Sequence, residues 1–440
     1  MNSMAGKKIA ASGIAALVIK GLGAVLSYAM FVAFAHLLAP EEYGRFAFGL
    51  NAGIIISAIA GVGFSTGILR YWPQYSVARE VAKAKRVVLQ GYVATALAGL
   101  VILAIAVLIS SFTWIANVVG TPGFVLTVAV LGSVIALGDL STNLLRAQGS
   151  TFVSMLPRDV LWRVAAPAVA YLAWRFGEGL SGASALGIAA GVLAALTLWQ
   201  GWHIRDNMNK VSNSFSDNLK TNKVIASLIP LWIAGIIFAM IQQFDVVIVG
   251  SLLSKTEAGS YFAAQKTAQL LSLVLIAGGL ATAPAMSALF HAGKLSELQA
   301  LCRTLAIAIA AVTCGGFIFL ILTGKLLLSL FDPQYVVAYP ILIVIALGAV
   351  IDAVSGPNAY LMQMTKFEGA YLKILIGCYA LVIAAQFILI PRYGSFGAAM
   401  ASASGVVLWN ILAIVILRKK AGLDPSLLGV IKPPQPRAIA

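Results

Sequence analysis

Long apolar runs separated by short polar turns set the pattern of this chain. Windows of about 20 apolar residues recur at 9–38, 45–69, 87–111, 123–145, 160–176 and 184–203. After the polar stretch RDNMNKVSNSFSDNLKTNK at 205–223, six more follow at 224–251, 259–289, 304–323, 338–364, 371–390 and 395–417. A run of that length crosses a bilayer as a helix, because the hydrocarbon core leaves no other partner for backbone N–H and C=O groups. The runs are continuous rather than alternating, which argues against a β-barrel. The pattern predicts an all-α polytopic membrane protein with 12 transmembrane helices. The 205–223 stretch parts them into an N-terminal six-helix lobe at 1–204 and a C-terminal one at 224–417, followed by a basic, Pro-rich tail at 418–440.

The two halves echo one another. With residue 37 set against 252, LLAPEEYGRFAF aligns with LLSKTEAGSYFA, matching Leu37 to Leu252, Leu38 to Leu253, Glu42 to Glu257 and Gly44 to Gly259. Each segment joins the first and second spans of its half. VIALG occurs at 134–138 and again at 344–348, in the fourth span of each half. Tandem pseudo-symmetric lobes are the expectation. In the first hairpin Pro40 ends the incoming helix or starts a new turn, the glutamates favour a helix N-terminus, and Gly44 relieves the bend.

Composition agrees with a lipid solvent: 60% of residues are hydrophobic and 10% charged, too few charges to cover a soluble fold of this size. The net charge of +15 raises nucleic acid as a partner, but the placement of the cations removes it. With a cytoplasmic N-terminus, about 23 of the 30 Lys and Arg fall on one set of loops and the tail, and about five on the other. That asymmetry puts both termini in the cytoplasm and assigns the excess to topology and lipid headgroups. The basic start MNSMAGKK reads as the head of a retained first span rather than a cleaved leader. Cys302, Cys314 and Cys378 show no CxxC spacing, and His36, His203 and His291 show no HExxH, so neither a disulfide framework nor a metal site is expected.

HLLAPEEYGRFAF after the first span, LLSKTEAGSYFAAQK after the seventh, the basic loop ending AKAKR, SLFDPQYVVAYPIL at 329–342 and PRYGSFGAAMASA at 391–403 carry a resemblance to a known family. The chain resembles the multidrug/oligosaccharidyl-lipid/polysaccharide (MOP) exporter superfamily and, within it, the polysaccharide transporter (Wzx-type) flippases, along nearly its whole length. That resemblance implies a V-shaped pair of lobes. It also implies movement of undecaprenyl-pyrophosphate-linked oligosaccharide from the inner to the outer leaflet of a bacterial cytoplasmic membrane. The implied partners are the bilayer, the lipid-linked glycan and, as an open option, polysaccharide assembly proteins. No cofactor is expected; a proton or sodium ion is the coupling candidate.

Ionisable groups inside spans are costly and are functional candidates by default. Lys20, in the middle of the first span between Gly21 and Gly23, is too deep to reach water easily, and a cavity-facing cation for the pyrophosphate is the leading expectation, with pairing to Asp139 of the fourth span as the structural alternative. Asp245 and Lys266 flank the second repeated hairpin at similar depth, as a structural ion pair or a gating pair. Their counterparts Met30 and Asn51 are neutral. Asp159 and Arg163, four apart, suit a helix-surface ion pair, and Arg163 with Arg146 forms a second candidate cation pair at the inner mouth. Asp352 precedes SGPNAY, where Pro357 interrupts the helix, and suits a coupling-ion site or a packing kink.

Two rival functions follow from the same residues. A multidrug or small-molecule antiporter on this fold would want an apolar cavity with an acidic coupling site. A membrane polysaccharide polymerase or ligase would want a long outer loop with Arg or His, and outer loops here stay within about 15 residues. No DxD motif marks a glycosyltransferase.

Overall fold

The structure is a computed structural model describing residues 3–78, 80–112, 120–177, 179–209 and 221–431. It is all-helical, with no strand among the described residues. In chain order the helices are α1 (Ser3–Leu37), α2 (Pro40–Ala60), α3 (Phe64–Val77), α4 (Val81–Ser110), α5 (Pro122–Ala147), α6 (Thr151–Leu156), a π turn (Pro157–Leu161), α7 (Trp162–Phe176), α8 (Gly182–Asn209), α9 (Thr221–Leu252), α10 (Lys255–His291), α11 (Leu295–Ser329), a 3₁₀ turn (Pro333–Ala338), α12 (Tyr339–Ser355), α13 (Asn358–Gln363), α14 (Glu368–Ala421) and α15 (Leu427–Ile431). Ten described helices are long and apolar enough to cross a membrane. Twelve spans are reached when α14 is divided at Gly394, whose φ of 60° and ψ of −149° break it. The fifth crossing is carried by α6, the π turn and α7 in succession.

The described chain forms two compact units, Met1–Gly259 and Ser260–Ala440. Most of the 205–223 linker lies outside the described residues.

In the first unit α5 is central, packed by α2, α3, α4 and α8, while α9 lies along α2. Leu89, Val93, Leu97 and Leu100 of α4 face outward, whereas its Gly91, Thr95 and Gly99 are buried. Large apolar groups meet lipid and small groups meet helices, the arrangement that lets membrane helices approach closely. The second span was expected to run unbroken over 45–69. It breaks at Gly61–Gly63, where Val62 (φ 46°) and Gly63 (φ 74°) take left-handed backbone. A β-branched residue there is strained by about 1–3 kcal/mol. The indole N–H of Trp232 on α9 donates to the carbonyls of Ala58 (3.1 Å) and Ile59 (2.9 Å) at the end of α2, where the break interrupts the helical ladder.

The repeated turns meet each other. A side chain at Gly44 would overlap the backbone carbonyl of Lys255, and the Lys255 ammonium sits 3.6 Å from the centroid of the Phe48 ring. Pro40 is the first residue of α2, so Gly44 lies in helix and relieves no bend; it is needed for this close approach. Glu42 accepts from the N–H of Gly182 (2.6 Å), the first residue of α8, placing a negative charge on that helix's positive end. In the second turn the Ser254 hydroxyl accepts from the Glu257 N–H (3.1 Å) as an N-cap.

The second unit is built from α11, α12 and α14 around a core that includes Met286, Leu298, Cys302, Leu361 and Leu417. The VIALG echo has the same use in each unit. A Cβ at Gly138 would lie 3.1 Å from Thr197 of the sixth span, and one at Gly348 would lie 3.6 Å from Ala403 of the twelfth. Residues 418–431 extend the bundle rather than trail from it. Buried Asp424 pairs with Arg418, accepts from the Ser426 N–H (2.9 Å) and hydroxyl (2.6 Å), and exchanges backbone bonds with the Gln299 amide. The following carbonyl, Pro425, fills the space a side chain at Gly356 would need. Residues 432–440 lie outside the described residues.

Candidate functional site: a cation cluster beside a polar cavity

Pro157 lacks an N–H and its ring crowds the preceding turn, so a helix passing through it widens locally. The Trp162 N–H reaches back five residues to the Pro157 carbonyl, closing a π turn, a geometry found often at functional sites. The turn presents Arg158 and Asp159 in succession. Buried Asp159 takes the Lys20 ammonium of α1 at 2.8 Å and the Arg163 guanidinium at 3.4 Å. Arg158 pairs with Asp139 of α5. Arg163 also donates to the Asp159 carbonyl at 3.1 Å, and its Nε is buried with no hydrogen-bond partner.

Gly23 leaves room for the cluster: a Cβ there would meet the flexible tip of the Arg163 guanidinium and lie 3.1 Å from the Asp159 carbonyl. Three cations thus surround two carboxylates, a net charge of +1. The Lys20 side chain is 55% exposed while that of Asp159 is 7% exposed. The acids hold the cations in place, and the paired Lys20 ammonium keeps an exposed side. In a medium of low dielectric such cations attract an anion more strongly than in water, and Arg with Lys is the pairing that suits phosphate oxygens.

The structure therefore brings together Lys20, Asp139, Asp159 and Arg163 among the residues singled out from the sequence, and adds Arg158. The pairing differs from the expected one: Lys20 meets Asp159, and Asp139 meets Arg158. The expected fifth window began at 160, but helix resumes at Thr151, so Arg158 as well as Arg163 lies on the helical segment of the fifth crossing, where paired charges are tolerated. Arg146 stands apart, exposed at the end of α5. Asp245 is buried on α9 in the first unit. Lys266, in the second unit, donates to Gln269 at 3.2 Å and lies 5.1 Å from the Phe262 ring centroid.

Asp352 lies on α12 of the second unit, just before the Gly356–Pro357 break. Its Oδ1 accepts from Asn410 at 2.8 Å, and Asn410 in turn accepts from Asn358 at 2.9 Å. Among the described residues it forms no ion pair.

Against the cluster in the first unit lies a cavity of about 240 Å³, lined by α2, α3, α5 and α9 and including Asp139. Arg158 was missed from sequence because it was read as a loop charge. The cavity's Gln242 and Gln243 were also missed, though two adjacent carboxamides inside the apolar 224–251 run were the available signal.

The described residues form an all-helical membrane-type bundle with ion pairs among its helices. The family described as polysaccharide biosynthesis protein matches residues 9–290, more than half of the 440-residue chain, and the chain belongs to it. The fold is that of MOP-superfamily exporters. It is similar to an inward-facing multidrug resistance MATE family transporter of the MOP superfamily (TM-score 0.71, 15% identity, covering 91% of this chain and 94% of that one). It is similar also to the lipid II flippase MurJ in an inward closed conformation (0.68, 14%, 92% and 87%). A third similar structure is a MOP superfamily transporter from Pyrococcus furiosus described as having a binding pocket of reversed polarity (0.63, 14%, 95% and 96%). No curated protein matches the chain.

Proposed function

We propose that this protein is a flippase carrying undecaprenyl-pyrophosphate-linked oligosaccharide from the cytoplasmic to the periplasmic leaflet for surface polysaccharide synthesis, by alternating access. The observation that carries this reading is the net-positive cluster of Lys20, Arg158 and Arg163 held on buried Asp159 and on Asp139. Cations outnumbering the acids that fix them suit a pyrophosphate, and family membership supplies the polysaccharide context. The cluster binds the pyrophosphate while the polyprenyl chain stays in lipid. The asymmetry of basic residues favours the bacterial cytoplasmic membrane with both termini inside. Asp352, held by the Asn410 amide and with no ion pair among the described residues, is the site we assign to a coupling proton or sodium ion.

In a deletion strain the lipid-linked precursor should accumulate, and the wild-type gene should clear it. Lys20→Ala and Arg158→Ala should each leave translocation at least about tenfold slower, the loss expected from one charge-assisted hydrogen bond. Wild-type rates in both variants would remove the cationic site. Normal glycan with lost drug or small-solute efflux in the deletion strain would instead favour an antiporter.

A further inference from the structure

A second cavity of the first unit lies at one end of the bundle, where α3, α5 and α8 end and α4 begins. It measures about 350 Å³ and shares no residue with the cation cluster or with the cavity beside it. Gln148 lines it, and the Gln148 Nε2 is buried with no hydrogen-bond partner among the described residues. Asn207, on the same wall, donates to Gln148 Oε1 at 3.1 Å, which fixes the carboxamide with its own N–H groups unspent. A buried donor of this kind calls for an acceptor. Ser150 makes no side-chain cap bond to α6, so its hydroxyl is a second donor. The start of α4 closes the cavity through Val81 and Ala84. The Glu80 carboxylate ahead of that helix does not cap it and is held by Lys83 at 2.6 Å. The positive end of a 30-residue helix therefore meets the cavity. None of the described lining residues is Asp or Glu. The donors together suit an anion.

Depth and surroundings identify the anion. Leu89 is the first large apolar side chain of α4 to stand exposed, and Ala84 precedes it by five residues, about 7.5 Å at the helical rise. On α8, Asn207 follows exposed Trp202 by the same interval. Headgroups occupy about 5–7.5 Å on either side of the hydrocarbon core, so two helices independently put the cavity at headgroup depth. Exposed Arg86, Arg146 and Arg205 each stand two residues from a lining residue, namely Ala84, Gln148 and Asn207. We propose that this cavity binds the phosphate headgroup of an anionic glycerophospholipid from the leaflet that the basic residues face. The phosphate accepts from Gln148, Ser150 and the start of α4, while the acyl chains run along the outward apolar face of α4. The site is separate from the pyrophosphate cluster, and its lipid is a resident of the first unit rather than cargo.

The test measures binding of dioctanoyl phosphatidylglycerol and dioctanoyl phosphatidylcholine to the full-length protein in neutral detergent. The wild type should prefer phosphatidylglycerol by about tenfold, the equivalent of ~1.4 kcal/mol. The double variant Gln148→Leu/Ser150→Val and the cavity-filling Ala84→Phe should each cut that preference by about fivefold, the loss of roughly one hydrogen bond. Neither variant alters charge, so a preference set by the basic surface alone would survive in both, and its survival overturns the site. Equal binding of the two lipids by the wild type does the same. Because the readout is a ratio within each variant, loss of folded protein does not mimic the expected result. Excess inorganic phosphate should leave phosphatidylglycerol in place; its displacement would assign the cavity to free phosphate and overturn the lipid.

Discussion

Asp159 and Asp352 are both carboxylates held inside helical bundles, and their surroundings are opposite. Asp159, at the π turn of the first unit, is held by an ammonium and a guanidinium, with a second guanidinium on the neighbouring Arg158. Asp352, at the helix break of the second unit, is held by the carboxamide of Asn410. A carboxylate ringed by cations is committed as a counter-ion, and its use is to place those cations. One held by a single amide, with no ion pair among the described residues, keeps the capacity to take a proton or a metal cation. Each also depends on a glycine. Gly23 gives room to a flexible guanidinium tip, whereas Gly356 gives room to a rigid backbone carbonyl. The two units thus hold their buried carboxylates with opposite partners.

Substitutions can break that comparison. Asp159→Asn should have the largest effect, lowering stability by about 3–5 kcal/mol, since the charge-assisted bonds of the buried carboxylate to both Lys20 and Arg163, each worth about 1.5–3 kcal/mol, are lost; thermal unfolding of the purified protein measures it. Gly356→Ala comes next, at up to about 3 kcal/mol. Its φ of 77° and ψ of −172° are close to glycine-only backbone, and the added methyl displaces Pro425. Asp352→Asn should cost no more than about 1 kcal/mol, because an amide still accepts the Asn410 bond, while removing any dependence of transport on pH or sodium. A loss as large as that of Asp159→Asn would show that Asp352 is a structural anchor after all. Smallest is Gly23→Ala, at about 0.5 kcal/mol, since the Arg163 tip can swing aside; chemical denaturation beside the wild type resolves it.

The spans were legible because a lipid solvent demands long uninterrupted helices, and the Gly–Pro break after Asp352 was legible because Pro357 cannot continue one. The Asp159–Arg163 pair followed from helical spacing alone. What stayed hidden depends on rotation and tertiary approach. The π turn at Pro157 re-aims Arg158 toward Asp139, and no linear spacing shows that Lys20 will meet Asp159 rather than Asp139. The break at Val62 runs against the preference of a β-branched residue and is held by Trp232, distant in sequence. Gly44 looked like a turn glycine because its partner, the Lys255 backbone, is a contact that only the fold provides.

The seam between Asp424 and Gln299 bears on how the chain is made. The helix break at Gly356 enters the bilayer two crossings ahead of the residues that brace it. During synthesis that break must wait, unsupported, while the eleventh and twelfth spans are threaded. The second unit therefore completes its packing late, and a nascent chain arrested after the eleventh span should be open to proteases at Gly356 where the finished one is not.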